Sequence, residues 1–153
     1  MARVHKSTLP THAHLWTHHR PGDFLDCYGC DSPLSVRDAT ALAMAMPGWA
    51  KALLGMRDRI VTPFGLRRAS ATPKDAPLFP VTHESEDELN FGFDDRHLDF
   101  RIALLRDRGR IYLSTWVHPH NRLGRAYLAL VMPFHVLIVR SGLNRVARAA
   151  PAA

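Results

Sequence analysis

The run Leu98-Asp99-Phe100-Arg101-Ile102-Ala103-Leu104, followed after Arg106-Asp107-Arg108-Gly109 by Ile111-Tyr112-Leu113-Ser114-Thr115-Trp116-Val117, decides the fold. Apolar residues recur at every second position in the first half and, with Thr115 taking one place, in the second, the period of a strand whose side chains alternate between two faces. The polar connection ending in glycine is hairpin chemistry, so the two strands pair antiparallel. Leu89, Phe91 and Phe93 repeat the pattern upstream, with Asp94-Asp95-Arg96 as the joining loop. The opposite positions, Asn90, Asp99, Arg101 and Ser114, are largely polar, which predicts one buried and one solvated face, while Tyr112 and Trp116 on that same side point to a cover, either the N-terminal arm or another subunit.

Upstream, Arg20-Pro21-Gly22-Asp23 is a turn signal leading into a strand over Phe24–Cys30, with Phe24, Asp26 and Tyr28 on one face and Leu25 and Cys27 on the other. Ser35, three residues before Asp38, opens a helix to about Met46. Pro47 starts a second helix, in which Trp49, Leu53, Met56 and Ile60 form a core stripe. Pro63 and Gly65 end it, and Arg67–Pro80 reads as a loop or linker. Downstream, Asn121 suits the N-cap of a last helix running through Val146, apolar almost all round up to Val139, with interruptions expected at Pro133 and Gly142. A helix of that composition must be wrapped on several sides. The expected fold is therefore α+β: an antiparallel sheet with two short helices inserted after the first strand and a long C-terminal helix packed on it. Residues 1–20 read as a polar arm pinned by Leu15 and Trp16, residues 21–148 as a single domain and residues 149–153 as a disordered tail.

At 153 residues, 46% hydrophobic and 22% charged, the chain has the size and composition of one packed domain. The net charge of +6 comes from scattered arginines with no dense basic run. Without zinc-finger spacing, an aromatic RNA-binding signature or a basic zipper, no specific nucleic-acid partner is expected. Cys27 and Cys30 are a lone pair whose side chains point to opposite faces of a strand, so two ordinary reduced thiols are expected. The N-terminus lacks the apolar stretch of a secretory signal, and the charge-free stretch between Arg125 and Arg140 is shorter than the roughly 20 residues that cross a bilayer. Cytoplasmic residence without a transmembrane segment is the expectation.

Specific runs carry a resemblance. Arg20-Pro21-Gly22-Asp23-Phe24-Leu25-Asp26, Pro47-Gly48-Trp49 leading to Leu54 and Arg57-Asp58, Gly92-Phe93-Asp94-Asp95-Arg96-His97-Leu98-Asp99-Phe100-Arg101, Trp116-Val117-His118-Pro119-His120-Asn121, and Pro133-Phe134-His135 through Arg140 together resemble the bacterial domain-of-unknown-function family 2867. The resemblance implies a helix-grip fold like that of the START and polyketide-cyclase superfamily, in which a sheet and a long helix can enclose a cavity for a small apolar molecule. It also implies an association with nucleotide-binding oxidoreductase domains. The chain itself has no Gly-x-Gly-x-x-Gly fingerprint, so it cannot bind a dinucleotide in that manner, and no cofactor is expected.

The expected ligand-binding residues are Phe91, Phe93, Phe100 and Leu113 with the inner face of the last helix, and His118, Asn121 and His135 as polar anchors. His97, Asp99, Trp116 and His120 are secondary polar candidates; His97, Asp99 and Arg101 could form a ladder on the polar side of the sheet. His118 and His120 would need a third ligand, Asp94, Asp95 or His97, to hold a metal, and no metal site is expected. The histidines of the arm, His5, His12, His14, His18 and His19, have no carboxylate or thiolate nearby in sequence to complete one. Three functions remain open: a domain binding a small apolar ligand, an acid–base enzyme using His118 or His97 in the same pocket, and an interaction module with Tyr112 and Trp116 at its interface. A homodimer or a separate oxidoreductase would be the protein partner.

Overall fold

The computed structural model describes residues 3–45, 47–64 and 79–149. Met46, most of the expected linker and nearly all of the expected tail lie outside the described residues. Six strands form one open antiparallel sheet in the order β1-β2-β6-β5-β4-β3: β1 His5–Lys6, β2 Phe24–Asp31, β3 Val81–Glu84, β4 Glu88–Asp94, β5 Leu98–Asp107 and β6 Arg110–Pro119. Helices α1, Val36–Ala43, and α2, Gly48–Val61, follow β2, and α3, Arg122–Ala149, closes the chain. The class is α+β.

Local chemistry fixes these elements. The β5–β6 hairpin turns on Arg108 and Gly109, both at positive φ (47° and 76°), the pair of left-handed residues that a tight hairpin of the right twist requires. Ser35 caps α1 by accepting from the Asp38 N–H at 3.1 Å, and Asn121 caps α3 by accepting from the Gly124 N–H at 2.9 Å. Helix α1 ends at Ala43, short of the expected Met46, and Arg145 of α3 donates to the Leu42 and Ala43 carbonyls at its end.

Tyr28, Cys30, Phe91, Leu104, Ile111 and Leu113 form the main core with Val36 and Ala39 of α1 and Val139, Leu143 and Val146 of α3. The second face is not solvated: of the two covers that Tyr112 and Trp116 point to, the structure has the N-terminal arm. Leu9, Ala13 and Leu15 of the N-terminal segment close over Cys27, Ala103, Leu105, Tyr112 and Trp116, and Leu15 is fully buried. The segment is tied down by Glu88, whose carboxylate accepts from the His14 and Leu15 N–H groups. Asn90, Arg101 and Ser114, polar in the alternation, are therefore buried.

Two helices also differ from expectation. On α2, Trp49 and Met56 of the expected core stripe are exposed, while Ala50 and Asp58 are buried. The inward face is set by Arg57, which donates to the Tyr127 hydroxyl of α3 at 2.6 Å; its neighbour Asp58, 2.9 Å away, pairs with it within the same helix. Helix α3 runs unbroken through Pro133 and Gly142, and it is buried on one side only. Pro133 sits on the exposed side, where water can satisfy the carbonyl that a proline leaves unbonded. By length and composition α3 could cross a membrane, being longer than the charge-free stretch within it.

Both sheet edges are short. β1 has two residues, and β3 has four with a register shift between Val81 and His83.

Candidate functional site

Strand alternation and register lay the α3 side of the sheet out in rows. Phe24, Val117, Phe100 and Phe93 make one row across β2-β6-β5-β4; Asp26, Thr115, Ile102 and Phe91 make the next. Asp26 is thus a carboxylate set among apolar neighbours, and it is buried. Its Oδ1 accepts from the Thr115 N–H at 3.2 Å, and its Oδ2 stands 3.0 Å from Nε2 of His135, which descends from α3. Phe24 meets the His135 ring edge-on, with centroids 6.4 Å apart. The Thr115 hydroxyl, next to Asp26 in the same row, is buried with no hydrogen-bond partner among the described residues.

Aromatic rings continue this wall. Phe93 and Phe100 pack edge-to-face at 4.6 Å, and Phe79 joins them, 5.0 Å from Phe100 and parallel to Phe91 at 6.4 Å. Of the expected ligand residues, Phe91, Phe93, Phe100, Leu113 and His135 share this side; Leu113 lies one row deeper, in the buried cluster with Leu104 and Leu143. Asp26, Thr115 and Phe79 are additions that sequence reasoning missed. Strand alternation alone places Asp26 on this face, but its partner is 109 residues away.

The remaining candidates sit elsewhere. His118 is on the opposite face, its Nδ1 2.5 Å from Oδ1 of Asp23. The other Asp23 oxygen accepts from the Trp116 indole and the Arg20 N–H, each at 2.9 Å. Burial alone would raise the Asp23 pKa, but the bonds from His118, Arg20 and Trp116 outweigh it and hold the acid below its ordinary value. His120 pairs with Asp99 at 2.8 Å, and Asn121, besides capping α3, reaches Nδ1 of His97 at 2.9 Å. The His97-Asp99-Arg101 ladder does not form, because Arg101 turns to Asp94 at 2.9 Å. Trp116 and Tyr112 are buried beneath the N-terminal segment, which would have to leave before either could meet a partner.

That covered face holds polar groups of its own. His14 stacks parallel on His83 with centroids 3.7 Å apart, and His83 is the register partner of Asn90. His14 Nδ1, both amide atoms of Asn90 and Arg101 Nε are buried without partners among the described residues. The His18 pKa is lowered, first by burial and then by Arg101 and His14. No group of three or more His, Cys, Asp or Glu among the described residues could hold a metal ion.

Cys27 and Cys30 point to opposite faces, one in each core. Burial, reinforced by Asp26 and Asp31 respectively, pushes their thiols up to about 12 and about 11, away from reactive thiolate chemistry. An open cleft of about 340 Å³ at the hairpin end of the sheet, lined by Ser32, Asp87, Arg106 and Gly109, offers hydrated charges and no such enclosed polar–apolar combination.

No curated protein and no solved structure matches the chain. A family model does match, over residues 19–142, which take in Asp26, Thr115, His135 and the phenylalanine wall but not the segment that covers the second face. The chain belongs to the family described as Protein of unknown function (DUF2867).

Proposed function

We propose that this is a small-molecule-binding domain of helix-grip type, which holds an apolar ligand bearing one hydrogen-bonding head group between α3 and the sheet. The observation that carries the reading is the buried Thr115 hydroxyl, which has no partner among the described residues and stands beside the Asp26–His135 pair. A buried hydroxyl without a partner costs about 1–3 kcal/mol, which a ligand's polar group recovers on binding. The phenylalanines of the neighbouring rows supply the apolar wall that such sites use for affinity, while the three polar side chains supply orientation.

Thermal unfolding in the presence of long-chain alcohols and alkylphenols tests this. A ligand at 100 times its Kd stabilises by about 2.7 kcal/mol, or several degrees for a chain of this size. The shift should vanish in Thr115→Val, which keeps the side-chain shape and removes the hydroxyl. Absence of a shift with every probe, or an equal shift in the variant, overturns the reading.

The same pair supports a second reading. A carboxylate that fixes an imidazole is competent for proton transfer to a bound ligand, and Asp26 does this for His135. Asp23 does it for His118 on the other face. His135→Asn separates the two roles, since a catalytic imidazole loses turnover while the ligand stays bound.

A further inference from the structure

Helix α3 turns His135, Val139, Leu143 and Val146 to the sheet, and its opposite side carries a second apolar stripe that the described residues leave exposed. Leu130, Phe134 and Leu137 are 54%, 39% and 59% exposed, and they follow one another at helical spacing on that side. Ala126 and Ala129 extend the stripe toward the N-terminus and are exposed as well. Scattered exposed apolar residues need no explanation, but a contiguous stripe on one helix face marks an interaction surface.

Charge identifies the occupant. The exposed Arg122 and Arg125 stand at one end of the stripe, and the exposed Arg140 and Arg148 at the other. Helix α3 contains no Asp or Glu, and the whole chain carries a net charge of +6. Apolar residues bracketed by arginines with no carboxylate among them match an anionic bilayer surface: the apolar side chains enter the acyl boundary while long basic side chains reach the head groups. A second copy of this chain would bring the same arginines against one another. A spanning orientation would strip α3 from the sheet and carry His135 into hydrocarbon without its partner Asp26, which stays behind on β2.

We infer that the outer face of α3 is a docking surface for anionic membranes, on which the helix lies flat with the sheet held above it. The inference does not rest on a ligand site on the other side of the helix, and its outcome is independent of that reading.

The test is flotation of the full chain with vesicles of phosphatidylcholine alone or mixed with phosphatidylglycerol at roughly three to one, in low and high salt. Binding to the mixed vesicles, release by salt and weak binding to the neutral ones are expected. Arg140→Gln with Arg148→Gln should weaken binding by about fivefold for each arginine that meets the lipid surface. Leu130→Gln with Leu137→Gln should weaken it at least tenfold, with helicity by circular dichroism unchanged. No binding to the mixed vesicles overturns the inference. So does binding that ignores both lipid charge and the arginine substitutions. A concentration-dependent dimer in analytical ultracentrifugation, abolished by the leucine substitutions, would assign the stripe to a second copy instead.

Discussion

Replacing glycine by alanine at three helical positions should give opposite signs, because only the surroundings differ. In α2, a Cβ built on Gly55 meets nothing within 4 Å, so Gly55→Ala should realise most of the ordinary helix preference of alanine, about 1 kcal/mol of stabilisation. In α3, a Cβ on Gly142 would stand 2.8 Å from the Ala43 carbonyl oxygen, the same oxygen that accepts from Arg145 at 3.0 Å. The contact is against backbone, and overpacking of this kind costs about 1–3 kcal/mol, so Gly142→Ala should lose roughly 1 kcal/mol after the helix preference is credited. Gly124 is tighter still. Its Cβ would fall far inside 3.0 Å of the His97 carbonyl oxygen, which is itself held by the His120 N–H at 2.9 Å. Gly124 also lies in the first turn, where helix preference counts for less, so Gly124→Ala should lose about 2–3 kcal/mol. For a chain of this size 1 kcal/mol moves Tm by about 2–4 °C, so Gly55→Ala and Gly124→Ala should differ by roughly 6–16 °C. Urea unfolding followed by circular dichroism measures the differences directly. If Gly124→Ala is as stable as the parent, the first turn of α3 does not rest on the turn before β5, and the placement of the helix over the sheet is wrong.

Four further outcomes follow from the packing. Leu15→Ala should destabilise by about 2–5 kcal/mol, the cost of a cavity at a fully buried leucine, although it lies in a terminal segment; Trp fluorescence and urea unfolding report it together. A double-mutant cycle of Asp26→Asn and His135→Phe should give a coupling of roughly 1–3 kcal/mol, and additive losses would show the pair to be unlinked. Because the Asp23 pKa is depressed in the folded state, its contribution is fully present above the unfolded carboxylate value near 4 and is lost as pH falls through the folded value. Asp23→Asn should therefore lower neutral-pH stability and flatten the acid limb below about pH 4, read by thermal melts across pH. Cys27 and Cys30 should resist a thiol reagent at pH 8 in the native protein and react in urea, and rapid native modification would contradict their burial.

The hairpins of β4, β5 and β6 were legible because a period of two survives in their own residues, whatever packs on them. β3 was not, since Val81-Thr82-His83-Glu84 lies largely exposed at an edge and needs no apolar alternation. Polar alternation at Asn90, Arg101 and Ser114 was correctly read as a face, but alternation records side-chain chemistry and not what covers it. The cover comes from Leu9–Leu15, whose few apolar residues among histidines carry no periodic signal. On α2 the apolar stripe and the inward face differ by about one residue, because the Arg57 bond to Tyr127 of α3 orients the helix more strongly than Trp49 or Met56 does. The site divides in the same way. The phenylalanine wall follows from strand period, whereas the pairing of Asp26 with His135, and of His118 with Asp23, joins residues about a hundred positions apart and depends on how α3 and the N-terminal turn cross the sheet.

The two stunted borders of the sheet limit how the protein can fail. β1 offers a neighbouring chain a ladder of two residues, one of them Lys6, and the displaced register of β3 interrupts any ladder begun there. Long flat borders recruit foreign strands and seed fibrils; these are too brief and irregular to template one. Polymerisation by strand capture therefore requires that a border peel away first, and the departure of β1 with the segment behind it would expose the longer strand, the eight residues of β2. Loss of the Glu88 tether to that segment is the damage that would turn a well-behaved sheet into an adhesive one.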